Sequence, residues 1–368
     1  IAAFSAVVEQ HEAEIEAIQS GIDYVVPEAA SEPSEAALRA IVDDDNAMQE
    51  REERAAQQSL ESTVRDAYAG ADQQQDSGAD NASEPKWKHN IVRPRIGRIP
   101  PPRRIIYDGY IKGFLTGISG TGGTGKTSLT DVEAVSMTIG KDLFNDRRPI
   151  KAGPQKVLVM SLEDTGDEYQ RRLEALIRHY RLTDEEMAMF HANSVAMMGI
   201  EGRKLVSQGR DGYVRNAESI NEIAEIVRYY GIDVITVDPL TSCHEVQEDT
   251  GGMQQIASIL RSLAQDLDVA VHFTHHNRKG DGNSGDDMRG AVSLRDASRR
   301  IRMLTRMTQT EAEQFGIPAE EFPYYVGQFD GKNNLNVPSA VKRWYRMASI
   351  DLDNNEEKWD SDVIGVTT

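Results

Sequence analysis

Cysteine occurs once in the 368 residues, at Cys243. A single thiol excludes an internal disulfide and a C-x-x-C metal pair. No apolar run approaches the ~18 residues that a membrane-spanning helix needs. The amino end also lacks a basic region followed by an apolar stretch, so a cytoplasmic protein with no membrane partner is expected. Ile1 stands where a chain would start with Met and the closing GVTT carries no stop signal, so a fragment of a longer chain is expected. A basic balance is missing too: the net charge is −19, and residues 1–90 hold 20 acidic against 6 basic side chains. The remainder has 40 acidic against 35 basic, so net charge neither announces nor excludes nucleic acid, and local cationic clusters must carry that argument.

What the sequence does have is GTGGTGKT, Gly120 to Thr127, which fills the pattern G-x-x-x-x-G-K-[ST]. It follows the strand-like GFLTGIS and precedes Leu129, Val132, Val135 and Ile139 at helical spacing, the context that separates a phosphate loop from a surface loop rich in glycine. Gly120, Thr121, Gly122, Gly123, Thr124 and Gly125 let successive N–H groups face phosphate oxygens. Lys126 reaches the β and γ phosphates, Thr127 offers its hydroxyl to Mg²⁺, and Ser128 opens the helix whose dipole adds positive potential. ATP and Mg²⁺ are the expected ligands.

Beyond this loop, short apolar runs alternate with helix-like stretches: KVLVMSL, DVITVD and VAVHFT are the runs, each adjoining a periodic segment. Strands buried on both faces and separated by helices predict an α/β fold with a mostly parallel sheet. Ligands in such folds bind beyond the carboxyl ends of the strands. There stand Asp238, expected to hold Mg²⁺; Glu163, expected to activate the attacking water; and His275 and His276, the latter placed to sense the γ-phosphate. Asp164 or Thr165 suits the cap of the following helix. IRML, YYVGQFD and KRWYRMASID read as further strands, either on the sheet's far side or in a small carboxyl-terminal β extension.

Phosphate loop, LED, VDP, HHNRKG, RGAVSLRDASRR, MTQTEAEQFGI, FDGKNNLNVP and RWYRM, taken in this order and spacing over Pro101 to Ala348, resemble the RecA-like ATPases of the RepA type. These are hexameric replicative helicases of plasmids and their phage-borne relatives. The resemblance implies a RecA-like P-loop NTPase core, Glu163 as catalytic glutamate, Asp238 as the Mg²⁺ aspartate and His276 as sensor. It also implies Arg299 as an arginine finger and Lys332 as a second cation entering a neighbour's site. Ala291 and Val292 depart from the small residues usual there, and Arg300 and Arg302 have no counterpart role.

The resulting plan is a helical remnant of an upstream domain over 1–26, a flexible acidic linker over 27–88, the RecA-like ATPase domain over 89–350, and a truncated polar tail over 351–368. Within it RPRIGRIPPPRR reads as an extended cationic strap. Two stretches, Gly202 to Arg215 and Asn277 to Arg289, read as loops rich in glycine and cations. Arg203, Lys204, Arg210, Arg215, Arg278 and Lys279 would track a DNA backbone while Tyr213 stacks on a base; the plain alternative is a pair of solvated surface loops. The expected function is an ATP-driven ring, a homo-hexamer acting on single-stranded DNA as a helicase in plasmid or phage replication, with other replication proteins reached through the acidic segment. The alternatives are an ATP-switched DNA-binding, loader or recombination-type ATPase without unwinding, and a scaffold whose nucleotide only stabilises the fold.

Overall fold

The computed structural model describes residues 91, 97, 99–144, 150, 153–199, 204–210, 212–246, 250–276, 292–336, 341–355 and 361–368. The chain divides into two compact units, Ile1–Pro100 and Pro101–Thr368. The helical remnant over 1–26 and the acidic linker over 27–88 lie outside the described residues. Within the second unit, Arg104 pairs with Asp268 and Arg103 donates to the carbonyl of Leu335, so the end of the cationic strap lies against the core.

A short hairpin, β1 (Ile105–Tyr107) and β2 (Tyr110–Ile111), precedes the phosphate-loop strand β3 (Leu115–Gly120) and helix α1 (Lys126–Ile139). The chain then alternates through β4 (Val157–Ser161), α2 (Gly166–Tyr180), α3 (Asp184–Asn193) and β5 (Ser194–Met198). It continues with the hairpin β6 (Val206–Gly209) and β7 (Gly212–Arg215), α4 (Ala217–Tyr230) and β8 (Val234–Asp238). A 3-10 turn, Leu240–Cys243, leads into β9 (His244–Glu245), then α5 (Thr250–Asp266), β10 (Ala270–His276), α6 (Val292–Ala297) and β11 (Arg300–Arg306). The last elements are α7 (Gln309–Phe315), β12 (Tyr325–Asn333), β13 (Arg343–Asp351) and β14 (Val363–Thr367).

Nine strands form the main sheet in the order β14-β13-β12-β11-β3-β10-β8-β4-β5. Those from β11 to β5 are parallel, and β12, β13 and β14 extend the sheet antiparallel. This is the α/β arrangement with a mostly parallel sheet that the alternation of apolar runs predicts, and it suits the RecA-like P-loop NTPase core that the resemblance implies. β3 and β4 are buried at every position, as strands covered on both faces must be. Helices start where side chains can satisfy the first free N–H groups: Thr165 caps α2, Thr183 forms a capping box on α3, and Asn216 caps α4. Asp164 is therefore not the cap.

Two expectations need correction. The described part of 351–368 is not a polar tail, because Val363–Thr367 pairs antiparallel with β13 from Met347↔Thr367 to Asp351↔Val363. The Gly202 to Arg215 stretch is not a loop in its described part: β6 and β7 pair antiparallel, and β6 pairs with β9, in a separate three-stranded sheet. Gly209 and Gly212 flank the turn, and Gly212 takes φ +127.

The arginines without a role prove to be structural. Arg302 and Glu133 are both fully buried and pair through both oxygens of the carboxylate. Tyr110 donates to the same carboxylate at 2.9 Å, and Arg302 Nη2 lies 2.9 Å from His272 Nε2. A guanidinium only donates, so Nε2 accepts and the ring proton sits on Nδ1, from which it reaches Thr116 Oγ1 at 2.8 Å. Thr116 then donates to the carbonyl of Gly109 at 2.6 Å. Burial and the neighbouring Arg302 hold His272 well below the usual histidine range, consistent with this neutral ring. Arg300 bridges Asp108 and Asp330 nearby.

The network ties the β1–β2 hairpin, α1, β3, β10 and β11 together behind the phosphate loop. Glu133→Ala should cost about 3–5 kcal/mol in urea unfolding, because it leaves a buried guanidinium uncompensated. The double change Glu133→Leu with Arg302→Met should recover most of that loss; equal destabilisation by single and double variants would refute the account.

Candidate functional site

The carboxyl ends of β3, β10, β8 and β4 lie side by side, and each delivers one part of the site. Register sets His276 opposite Gly120 and His275 opposite Ser119 across β10 and β3, and Ser161 opposite Asp238 across β4 and β8. Glycine is required at the turn itself. A Cβ on Gly120 would lie 2.6 Å from the carbonyl oxygen of Leu304, and Gly125 has φ +77 with Met347 Sδ 2.9 Å from where its Cβ would be. Lys126 Nζ donates to the carbonyls of Gly120 and Thr121, each at 2.9 Å, and lies 3.1 Å from His276 Nδ1. Burial lowers its pKa to about 8 against the opposing pull of Asp238. Thr124 folds back on the carbonyl of Thr121, and Arg306 donates to the carbonyl of Gly123 at 2.9 Å. Ser128 is engaged from outside the loop: its Oγ accepts from the backbone N–H of Thr367 on β14 at 2.8 Å.

Asp238 accepts from the hydroxyl of Thr274, which orients its carboxylate. Glu163 is exposed, and its Oε1 accepts from Ser242 Oγ at 3.0 Å. Asp164 is tied down instead, by Ser161 at 2.9 Å and by Arg172. Arg172 also holds Asp131 at 2.8 Å, so one guanidinium on α2 joins the turn after β4 to the helix after the phosphate loop. Burial raises the Asp131 carboxyl to about 6, with Arg172 opposing it. The sequence reading missed Arg172, since DEYQRRLEALIRHY does not say which of two adjacent arginines faces inward.

Arg299 and Lys332 lie elsewhere. β11 runs parallel to β3 with Arg300 opposite Thr116, so Arg299 stands at the amino end of the parallel strands. Four residue steps along β3 to Gly120, about 3.3 Å each, put the phosphate loop about 13 Å farther on. The Arg299 guanidinium lies 5.7 Å from the Phe114 ring centroid. Lys332 pairs with Ile301 in the sheet, and its Nζ donates to the carbonyls of Arg295 and Asp296 at 2.8 and 3.0 Å. Burial lowers the pKa of that ammonium. Within one chain, then, Glu163, Asp238, His276 and the loop lie at the carboxyl ends of the parallel strands, while Arg299 and Lys332 form a second pair at the opposite edge.

Of the residues expected to grip DNA, Arg203, Arg278 and Lys279 lie outside the described residues, as does the 277–290 stretch. Arg210 is exposed at the β6–β7 turn. Lys204 Nζ donates to the carbonyl of Ser242 at 2.7 Å. Tyr213 is half-buried and packs its ring on Gly251 of α5, so the expected stacking platform is occupied by the protein's own helix. On β9 of this sheet His244 is buried beside the backbone of Val246, and buried His275 leaves Nδ1 unbonded. Burial lowers the pKa of both, that of His275 to about 4. Such an unmade bond costs about 1–3 kcal/mol for a buried group.

Thr127 and Asp238 supply a hydroxyl and one carboxylate, the partial set that suits Mg²⁺, which takes its remaining ligands from phosphate and water. Among the described residues no cluster of three or more His, Cys, Asp or Glu offers an all-protein metal cage. No helix there is long and apolar enough to cross a membrane. A family model described as an AAA domain matches residues 83–282, more than half of the chain. A solved structure whose title describes an ATPase domain is similar at 17% identity, covering 64% of this chain and 82% of that one with a TM-score of 0.42.

Proposed function

Because this chain belongs to the AAA domain family and is a P-loop NTP hydrolase, we propose that it is an ATP-driven motor on single-stranded DNA, assembled as a homo-hexameric ring of the RepA helicase type and serving plasmid or phage replication. The observation that carries the reading is the division of the expected site residues between two opposite edges of one sheet. Phosphate loop, Glu163, Asp238 and His276 occupy one edge, Arg299 and Lys332 the other. A head-to-tail arrangement brings the second edge of one subunit to the first edge of the next, and a closed ring satisfies every subunit in the same way.

Gly120 to Ser128 would hold the triphosphate, with the Lys126 ammonium leaving the carbonyls of Gly120 and Thr121 for phosphate oxygens. Thr127 and Asp238 would hold Mg²⁺. When bound, that ion neutralises charge on the phosphate oxygens. Glu163 accepts the proton of the attacking water, and His276, already next to Lys126, reports loss of the γ-phosphate along β10 to the residues that follow it. Arg299 and Lys332 stabilise charge in the neighbour's site. Arg203, Lys204, Arg210, Arg278 and Lys279 follow the DNA backbone, and the acidic amino-terminal segment serves other replication proteins.

Hydrolysis measured with and without single-stranded DNA tests this. Activity should require Mg²⁺, rise with DNA, and depend on DNA binding whose log affinity falls with log salt at about −0.7 per phosphate contacted. Salt-insensitive binding would place the DNA site away from the cationic residues named.

A further inference from the structure

The hydroxyl of Ser242 on Glu163 belongs to a continuous connection. Ser242 sits in the 3-10 turn Leu240–Cys243, between Asp238 at the end of β8 and His244 on β9. Its side chain donates to Glu163 Oε1 at 3.0 Å, while its carbonyl accepts from Lys204 Nζ at 2.7 Å. Lys204 leads directly into the hairpin: the N–H of Leu205 donates to the carbonyl of Cys243 at 2.8 Å, and β6 pairs with β9 at Val206↔His244 and Ser207↔Glu245. The far end of that hairpin presents the exposed Arg210. A displacement of β6 and β9 is thus passed to the residue that holds Glu163.

A second, independent observation marks the same joint. His244 on β9 and His275 near the end of β10 are electrostatic neighbours, and Nδ1 of buried His275 has no hydrogen-bond partner. Buried His272, by contrast, has both ring nitrogens engaged. The end of β10 beside His244 therefore carries an unmade hydrogen bond in this arrangement, which a shift of its neighbours can restore.

We propose that Ser242 is a positioning residue that holds Glu163 in a resting orientation, and that the β6–β7–β9 sheet releases it when a polyanionic strand engages the hairpin. The inference rests on the reading of Glu163 as the base that receives the water's proton. Nucleotide hydrolysis is then gated at the base, not at the phosphate loop, and the gate is opened from the DNA side. One side-chain hydrogen bond biases such a two-state orientation by about three- to tenfold.

The test compares kcat at saturating ATP, without DNA and with an oligodeoxythymidylate, for the parent, Ser242→Ala, Ser242→Thr, Lys204→Met and Glu163→Gln. Ser242→Ala should raise the DNA-free rate by about three- to tenfold and shrink the stimulation by the same factor, with KM for ATP unchanged, and Ser242→Thr should return both to parent values. Lys204→Met cuts the other end of the tether, so it too should raise the DNA-free rate; a lysine that served only to bind DNA would leave that rate alone. Ser242→Ala with an unaltered or lowered DNA-free rate, in a protein whose Glu163→Gln variant is inactive, overturns the gate and spares the base. Glu163→Gln at the parent rate overturns both. A rise for Ser242→Ala without one for Lys204→Met overturns the hairpin's part in it.

Discussion

Glutamine in place of Glu163 is expected to give a protein that binds ATP as the parent does and hydrolyses it about 10²–10⁴-fold more slowly, the usual share of a positioned general base. The substitution isolates one property. Glutamine keeps the shape of the side chain and an oxygen that can still accept from Ser242 Oγ, so the local structure stays. What it loses is the capacity to take a proton from water. The phosphate loop is untouched, since Lys126 rests on the carbonyls of Gly120 and Thr121 and on His276, not on Glu163.

Lys126→Ala is the complement: it removes the buried cation aimed into the loop and should fail at binding before chemistry is reached. Binding of a fluorescent ATP analogue and single-turnover hydrolysis separate the two phenotypes. A Glu163→Gln protein that turns over at the parent rate would move the base elsewhere. Asp164 would be a poor replacement, since Ser161 and Arg172 already claim its carboxylate.

The parts of this site that were legible in the sequence are those set by local chemistry. Runs such as VLVMS and VITVD are apolar because both faces of a central parallel strand are covered, and Asp238, which ends the second, and Glu163, two residues beyond the first, stand at the carboxyl edge for the same reason. The phosphate loop is legible because backbone geometry restricts what can occupy Gly120 and Gly125. What was not legible depends on partners distant in sequence. Arg302 looks like misplaced charge until Glu133, 169 residues away, is folded against it. β14 looks polar because its strand is short and follows a run of Asp, Asn and Glu, yet its Thr367 reaches Ser128 at the start of α1. SQGRDGY reads as a loop because a two-strand hairpin with an exposed face carries little apolar pattern, and only its pairing to β9 after the Asp238 strand shows that it is attached to the site.

The remaining prediction concerns Arg299, whose loss should lower kcat by about 10³–10⁵-fold, the range for a guanidinium supplied to a phosphoryl-transfer site. Its position makes the origin of that guanidinium testable. Arg300 pairs with Thr116, near the start of the strand whose far end is Gly120, so Arg299 does not reach the phosphate loop of its own chain. Lys332 stands on the same edge, held by the carbonyls that end α6. If the finger acts on a neighbour, Arg299→Ala subunits keep an intact phosphate loop and Lys126→Ala subunits keep an intact finger. Each protein alone is inactive, whereas mixed equally and allowed to assemble at random they should form complete sites at about a quarter of the interfaces, with a matching share of the parent rate. If the finger acted within its own chain, no subunit in that mixture would carry both residues and activity would stay at zero. Hydrolysis at the full parent rate by protein held monomeric by dilution would be equally decisive against it. Recovery in the mixture therefore measures the one feature a single chain cannot display, the meeting of the two opposite edges of its sheet.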